Sequence, residues 1–243
     1  MKKFGLVGKN IDYSFSRKYF SEKFKNDNLD NYEYVNFDIP DIFAFSKVIK
    51  AENIVGLNVT IPYKQAVIPF LDAVSKKAKK IGAVNTITVD KNGKTKGYNT
   101  DWYGFKKSIA QNIRPDHKKA LILGTGGSSK AVAFALKKLK IEVTFVSRTK
   151  TRKGFQYADL SQKILSEYQI IINCTPLGTS PNVDICPEIP YEFLTKDQLV
   201  FDLIYNPEKT LFLQKSEQQG ATIQNGKEML VFQAEKAWEI WNS

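Results

Sequence analysis

The segment 118–149 constrains the fold of this chain more than any other part of the sequence. Its residues, KKALILGTGGSSKAVAFALKKLKIEVTFVSRT, read as an apolar strand, a glycine turn, an amphipathic helix and a second apolar strand. Gly124 and Gly126 match the first two glycines of the dinucleotide fingerprint, and Ser129 stands where the third would be. The first glycine allows the tight turn, the second lets backbone approach a pyrophosphate, and the helix start supplies unpaired N–H groups. The segment therefore predicts a dinucleotide-binding parallel sheet; a glycine turn kept only for packing is the alternative.

The end of the second strand indicates which dinucleotide is bound. NAD-binding domains usually place Asp or Glu here, to accept a hydrogen bond from the ribose 2′-hydroxyl. This chain instead reads SRTKTRK, with Ser147, Arg148, Thr149 and Arg152 and no carboxylate. Guanidinium groups suit a dianionic 2′-phosphate, so the sequence favours NADP. A merely basic surface loop is the alternative.

The rest of the chain also alternates strands with helices, which predicts an α/β protein with mainly parallel sheets. A strand at KFGLVG precedes a helix at SRKYFSEKF, for which Ser16 is a plausible N-cap. Two more strands and their helices follow, then a hairpin that turns at Asn92 and Gly93. A second unit begins near Asp101, and further strands at YQIIINC and QLVFDLIY lead to a terminal helix.

Composition narrows the classes of function. The net charge is +11, but the lysines are scattered along the chain, which favours a general attraction for small anions over nucleic-acid binding. The single histidine, His117, leaves no His-centred triad or His metal site, and no metal is expected. No apolar run has membrane-spanning length, and the start of the chain lacks the apolar region of a signal peptide. With only two cysteines, the simplest expectation is a cytoplasmic protein.

Two ionisable residues follow strand ends, where site residues of α/β proteins gather. Lys64 comes after the strand end NVTIP, and Asp101 opens the first helix of the second unit. Reduction of a ketone requires a proton donor, and without a usable histidine a lysine, a tyrosine or a carboxyl group must serve. Taken alone, each residue is as consistent with a structural role, as a surface lysine and a first-turn helix residue.

Motifs along nearly the whole chain resemble the shikimate dehydrogenase family. In chain order they are YSFSRKYF, GLNVTIPYK, GAVNTI, GYNTDWYGF, LGTGGSSKAV, SRT, NCTPLGT, FDLIYNPEKT and NGKEMLVFQAEKAW. The chain departs from the family pattern at Tyr13, where a histidine is usual, at Arg17, where a proline is usual, and at Ser147, where an asparagine is usual.

The resemblance implies an activity and a set of residues. Lys64 and Asp101 would be the catalytic pair at the C3 oxygen of 3-dehydroshikimate. The substrate pocket would consist of Ser14, Ser16, Thr60, Asn85, Tyr205 and Gln233. NADP would be bound by Gly124, Thr125, Gly126, Gly127, Ser128, Ser147, Arg148, Thr149 and Arg152, with backbone near Leu203 and Gly226, and Thr175 would lie near its phosphates.

We therefore expect an N-terminal α/β substrate domain (1–100 with 226–243) and a doubly wound, Rossmann-type NADP-binding domain (101–225), with the chemistry in the cleft between them. The expected partner is a small molecule, shikimate or 3-dehydroshikimate, without nucleic acid or membrane, and the chain would act as a monomer or homodimer. A quinate/shikimate dehydrogenase with relaxed specificity and a non-catalytic dinucleotide-binding regulator are the alternatives.

Overall fold

The computed structural model describes residues 1–12, 14–149 and 154–243, and the chain divides into two compact units. The first comprises Met1–Thr100 and Ala234–Ser243, and the second comprises Asp101–Gln233. Residues 226–233, expected from the sequence to belong with residues 1–100, lie in the second unit. They pack there because Gly104 brings its helix against the Met229 carbonyl and the Gln233 backbone. The division into a substrate domain and a cofactor domain stays a prediction.

The first unit contains a mixed six-stranded sheet in the order β2-β1-β3-β5-β6-β4. The β1–β2, β1–β3 and β4–β6 pairs are parallel, whereas β5 runs antiparallel to both β3 and β6. The elements are β1 (Lys2–Gly8), α1 (Phe15–Asn26), β2 (Tyr32–Asp38), α2 (Phe45–Val48), β3 (Ile54–Val59), α3 (Tyr63–Ala66), β4 (Ala73–Val74), α4 (Lys76–Ile81), β5 (Thr86–Val89) and β6 (Thr95–Tyr98).

Helix α1 begins earlier than the sequence suggested. Its first residue is Phe15, so Ser14 is the N-cap and the prediction of Ser16 at that position was wrong. Ser14 has extended backbone angles, as an N-cap requires, and Ser16 lies inside the first turn. Both hydroxyls therefore lie at the amino-terminal end of α1, where unpaired backbone N–H groups favour an anion.

The second unit contains a wholly parallel sheet in the order β12-β11-β10-β7-β8-β9. The elements are α5 (Asp101–Ile109), β7 (Lys119–Leu123), α6 (Gly127–Lys138), β8 (Glu142–Ser147), β9 (Phe155–Gln156), α7 (Gln162–Ser166), β10 (Ile170–Asn173), β11 (Leu199–Asp202), α8 (Leu211–Gln218), β12 (Thr222–Gln224) and α9 (Lys227–Trp241), whose last turns belong to the first unit. This confirms the predicted βαβ of β7, α6 and β8.

The strand order reverses between β7 and β10, which is the doubly wound arrangement of dinucleotide-binding folds. Strands β7, β10 and β11 are almost entirely buried on both faces, as expected when helices cover a parallel sheet on each side. Ligands of such folds bind outside the carboxyl ends of the strands at this reversal. The α/β fold class with a Rossmann-type unit is confirmed.

Within the described residues, none of the helices combines the length and the apolar character that crossing a bilayer requires.

Candidate active site

Five of the predicted residues on the substrate side lie at one edge of the first unit's sheet. Ser14 and Ser16 follow β1, and Thr60 and Lys64 follow the adjacent parallel strand β3. Asn85 immediately precedes β5, whose antiparallel direction brings its amino-terminal end to the same edge. The carboxyl ends of β1 and β3 and the beginning of β5 therefore present hydroxyl, amide and ammonium groups together.

Backbone hydrogen bonds connect these strand ends. The Thr60 N–H donates to the Val7 carbonyl over 2.9 Å, which ties the end of β3 to the end of β1. Lys64 lies in the short helix α3, is half-buried, and accepts from the Val84 N–H at its own carbonyl over 2.7 Å. The backbone of Lys64 is thus anchored to the segment that carries Asn85.

Asn85 is a buried residue that holds the end of β6 in place. Its side-chain nitrogen donates to the Thr100 hydroxyl over 2.9 Å, and its side-chain oxygen accepts from the Thr100 N–H over 2.7 Å. Its backbone carbonyl accepts from the Val59 N–H over 2.9 Å. Because Thr100 directly precedes Asp101 in the chain, this amide fixes the backbone that leads to the predicted catalytic carboxyl group.

Sequence reasoning missed a buried polar pair beside this edge. The Tyr34 hydroxyl donates to the Asn58 side-chain oxygen over 2.8 Å, and the Asn58 nitrogen donates to the Asn85 carbonyl over 3.2 Å. Burial raises the pKa of Tyr34, which a hydrogen bond from Ser16 partly offsets. Asn58 lies within the GLNVTIPYK motif, and a polar residue inside an otherwise apolar strand could have indicated a buried hydrogen bond. The sequence around Tyr34 carries no comparable signal.

The glycine turn of the second unit has the geometry that the fingerprint requires. Gly124 adopts a φ of +101°, a conformation that side chains disfavour, and its N–H donates to the Val146 carbonyl over 2.8 Å. Gly126 is the N-cap of α6, and a Cβ built on it meets nothing within 4 Å. The fold therefore does not require glycine at 126, whereas a pyrophosphate approaching the backbone does.

The first turn of α6 completes a cradle for an anion. Thr125 and Gly126 are exposed, Gly127 and Ser128 are half-buried, and this turn contains no acidic residue. Buried Ser129 donates to the Gly126 carbonyl over 2.7 Å, which fixes the turn from inside. The twelve-residue helix adds the positive end of its dipole. These residues fit the phosphates of a dinucleotide.

The end of β8 presents a cation where an NAD-binding domain would present a carboxylate. Ser147 is buried and its hydroxyl donates to the Thr149 carbonyl, while Arg148 and Thr149 are exposed. Gln156 donates to the Arg148 carbonyl over 3.2 Å. Arg152 lies outside the described residues. The described part of this segment fits a 2′-phosphate.

The loops after β7 and β10 meet at the strand-order reversal. A Cβ on Gly124 would lie 3.1 Å from the Thr175 methyl group and 3.5 Å from the Cys174 backbone. The Thr175 hydroxyl and N–H donate to the side-chain oxygen of Asn173 over 2.7 and 2.9 Å. Asn173 in turn donates to Asp202 over 3.1 Å. Sequence reasoning did not single out Asn173 or Asp202.

The other two predicted cofactor positions, Leu203 and Gly226, lie against each other in the structure. Gly226 lies so near the Leu203 carbonyl that an added Cβ would be 2.2 Å from its oxygen. The Gly226 N–H donates to the Ile204 carbonyl over 3.0 Å, and the Leu203 N–H donates to the Asn173 carbonyl over 3.1 Å. Leu203 and Gly226 are therefore neighbours, immediately after β11 and before α9.

Asp101 is a buried carboxyl group at the start of α5, where it is 4% exposed. The thiol of Cys174, just after β10, has a raised pKa because it is buried and because the charges of Asp202 and Asp101 act on it. Asp101 is therefore close enough to the loop after β10 to influence the electrostatics of that loop.

The remaining predicted residues lie on α9 and in the loop after β11. Gln233 is 7% exposed and donates to the Leu230 carbonyl over 2.9 Å. Its backbone packs against Gly104, one turn after the start of α5. Tyr205 follows Ile204 and is half-buried.

These features define a class. A doubly wound unit with an open glycine turn and a cationic strand end is suited to a dinucleotide. A second α/β unit has a lysine, hydroxyl residues and an amide residue at one edge of its sheet, where a small polar substrate could bind. The chain has the fold and site of a dinucleotide-dependent oxidoreductase.

Comparison with known proteins identifies the family. Residues 6–87 match the shikimate dehydrogenase substrate binding domain. The NADP(+)-dependent shikimate dehydrogenase of Desulforamulus reducens is 38% identical, covering 98% of this chain and 88% of the relative. Shikimate dehydrogenase 1 from Peptoclostridium difficile is 38% identical with a TM-score of 0.86, covering 100% and 92%. Shikimate 5-dehydrogenase from Thermus thermophilus, in complex with NADP(H) and shikimate, is 30% identical with a TM-score of 0.86, covering 99% and 93%. The chain belongs to the shikimate dehydrogenase family.

Proposed function

We propose that this protein catalyses the reversible, NADPH-dependent reduction of 3-dehydroshikimate to shikimate. The observation that carries the proposal is the strand edge of the first unit: Ser14 follows β1, Thr60 and Lys64 follow β3, and Asn85 precedes β5. Family membership supplies the substrate class, and the open backbone at Gly126 beside a cationic strand end supports NADP.

We assign the proton transfer to Lys64 and Asp101. When bound, NADPH would supply the hydride that adds to the C3 carbon and leaves the C3 oxygen as an alkoxide. Lys64 donates the proton that the C3 oxygen then requires, and in the reverse direction it removes the proton from the C3 hydroxyl. Asp101 is the second residue of the pair and supports this proton transfer with its carboxyl group.

The other assigned residues bind the ends of the substrate. Ser14 and Ser16 donate hydrogen bonds to the substrate carboxylate from the start of α1, where the helix dipole favours a negative charge. Thr60, Tyr205 and Gln233 contact the ring hydroxyls and the carboxylate. Asn85 contributes to the pocket and holds Thr100 next to Asp101.

The first prediction concerns Lys64. Lys64→Ala lowers kcat by a factor of about a thousand or more and changes KM little, because the ammonium acts mainly in the transition state. The measurement is NADP-linked absorbance change with shikimate as the sole added substrate. Lys91→Ala, at an exposed position of the hairpin in the same unit, is the matched control and keeps wild-type rates.

Two outcomes would contradict these assignments. Near-normal turnover by Lys64→Ala removes that residue from catalysis. A wild-type protein that oxidises quinate as efficiently as shikimate, or uses NAD as well as NADP, has the relaxed specificity of a quinate/shikimate dehydrogenase.

We further propose that the protein acts in the cytoplasm as a monomer or homodimer. Both cysteines are unpaired, which is typical of proteins from reducing compartments. Light scattering during size-exclusion chromatography measures the assembly state directly, and a tetramer or larger species would contradict the proposal.

A further inference from the structure

We infer that Asp202 is a positioning residue for NADP(H), which it never touches: it fixes the two loops that receive the dinucleotide. The inference rests on the proposed function and adds to it a residue outside the predicted site. Asp202 is the last residue of β11 and is completely buried.

Three donors converge on the Asp202 carboxyl group. The Asn173 side chain donates to one oxygen over 3.1 Å, and the Ile204 N–H donates to the same oxygen over 3.0 Å. The Thr210 hydroxyl donates to the other oxygen over 2.6 Å. Burial raises the pKa of Asp202 to about 6, with the three donors opposing it, so the group remains ionised at neutral pH. An ionised acceptor makes each of these hydrogen bonds stronger than a neutral one would be.

The bond to Asn173 determines the position of Thr175. Because Asn173 uses its nitrogen on Asp202, its side-chain oxygen faces the opposite way and accepts from both the N–H and the hydroxyl of Thr175. Thr175 then packs its methyl group beside Gly124 at the glycine turn. A chain of short contacts therefore runs from the buried carboxylate to the surface that receives the phosphates.

The bond to Ile204 determines the position of the second loop. The Ile204 carbonyl accepts from the Gly226 N–H over 3.0 Å, and Gly226 lies directly against the Leu203 carbonyl. Leu203 and Gly226 are the two backbone positions assigned to the cofactor after β11 and before α9. The Asp202 carboxylate thus fixes the positions of both loops. The Thr210 hydroxyl holds this carboxylate from the side of α8, where the same hydroxyl accepts from the Leu213 N–H.

The test measures NADPH binding by nucleotide fluorescence, without turnover. Asp202→Asn keeps the shape of the side chain but replaces one acceptor oxygen by an amide NH2 group, which cannot accept from the donors that face it. We therefore expect the Kd for NADPH to rise about tenfold. The KM for shikimate at saturating NADPH stays within about twofold. Asp197→Asn, an exposed position in the same unit, is the matched control and binds as the wild type does.

A double-mutant cycle separates positioning from general loss of stability. If Asp202 acts through Asn173 on Thr175, Asp202→Asn combined with Thr175→Val weakens binding no more than the more severe single variant. Should Asp202→Asn fail to fold, the Kd values for NADPH of Thr175→Val and Thr175→Ser are compared, which tests the hydrogen bond from Thr175 to Asn173. Serine keeps the hydroxyl bond to Asn173, so the Kd of Thr175→Ser rises less than that of Thr175→Val, which rises about tenfold.

The outcomes distinguish the inference from the function on which it rests. Wild-type Kd in Asp202→Asn, or in Thr175→Val, overturns the positioning role while leaving the enzyme assignment intact. Additive effects in the cycle overturn the route through Thr175. A wild-type protein that does not bind NADPH overturns the proposed function, and the inference with it.

Discussion

Three glycines of the second unit are required for three different reasons. Gly124 needs its positive φ, and Gly226 needs the absence of a Cβ because the Leu203 carbonyl occupies that space. Gly126 has ordinary backbone angles and open space around it. In the folded protein only the first two are structural requirements, and the third is explained by an approaching ligand.

A prediction at this scale separates folding from binding. Gly126→Ala changes the free energy of unfolding by no more than about 1 kcal/mol, because the new methyl group meets no protein atom and only the preference for glycine at an N-cap is lost. The Kd for NADPH rises by about tenfold or more, because the methyl group occupies the space of the pyrophosphate. Urea titration and nucleotide fluorescence measure the two quantities.

Gly226→Ala is the comparison for that experiment. A Cβ 2.2 Å from a carbonyl oxygen forces the backbone apart, which costs about 1–3 kcal/mol of stability. Tight NADPH binding by Gly126→Ala would show that the dinucleotide does not approach the backbone at this turn.

At the scale of elements, the terminal helix α9 completes the core of the first unit. Trp241 donates its ring N–H to the Ile87 carbonyl over 2.9 Å and covers Gly56 of β3 so closely that a Cβ there would meet the indole at 2.5 Å. Its ring also packs against Phe4 and Phe20, with centroids 4.9 and 5.2 Å away. The last turn of α9 is therefore part of the packing of this sheet.

The corresponding prediction concerns stability. Trp241→Ala lowers the free energy of unfolding by about 2–4 kcal/mol, because a half-buried indole and its hydrogen bond are lost. Trp241→Phe loses mainly the hydrogen bond and costs about 1 kcal/mol. Circular dichroism during urea unfolding measures both. Glu239→Ala removes only a surface ion pair with Lys236, so it costs less than about 0.5 kcal/mol. Equal stability of the alanine variant at 241 and wild type would contradict this account of α9.

Elements were predictable from the sequence where the signal was local. The βαβ of β7, α6 and β8 and the hairpin of β5 and β6 follow from periodicity and turn residues within a few positions. The sequence predicts a helix at PDIFAFSKVIKA and a helical stretch around QAVIPFL. The structure has a 3-10 turn before α2 in the first segment, and α3 followed by a 3-10 turn in the second. Local periodicity does not reveal where packing interrupts a helix.

Site residues were predictable only where the family resemblance gave a role to a position within a motif. The link from Tyr34 to Asn58 and the link from Asn173 to Asp202 join residues 24 and 29 positions apart. No spacing rule connects such partners, because strand pairing and not sequence brings them together. The chain therefore indicated which strand ends carry function, but not the buried groups that hold those ends in place.

At the scale of the whole molecule, the net charge of +11 is the dominant electrostatic feature. Both the proposed substrate and NADPH are anions, so the field of the protein raises their encounter rate at low ionic strength. The exposed lysines of α4 surround buried Ala78, which agrees with a solvated helix face.

The last prediction follows from this charge. Raising KCl from about 20 to about 300 mM lowers kcat/KM for NADPH roughly three- to tenfold, because the salt screens the attraction between protein and anion. The kcat at saturating NADPH changes less than about twofold, which is the internal control. Steady-state rates at fixed pH provide the measurement, and a kcat/KM independent of salt would show that the net charge plays no part in capture.

The empty space beside Gly126 has a consequence for spontaneous mutations at this codon. Alanine replaces glycine through a single base change in any glycine codon, and at this position the altered chain still folds. Cellular quality control recognises misfolded chains, so it would not remove this one. A strain with that change would accumulate normal amounts of a protein that binds NADPH weakly, and immunoblots would give no sign of the reduced activity.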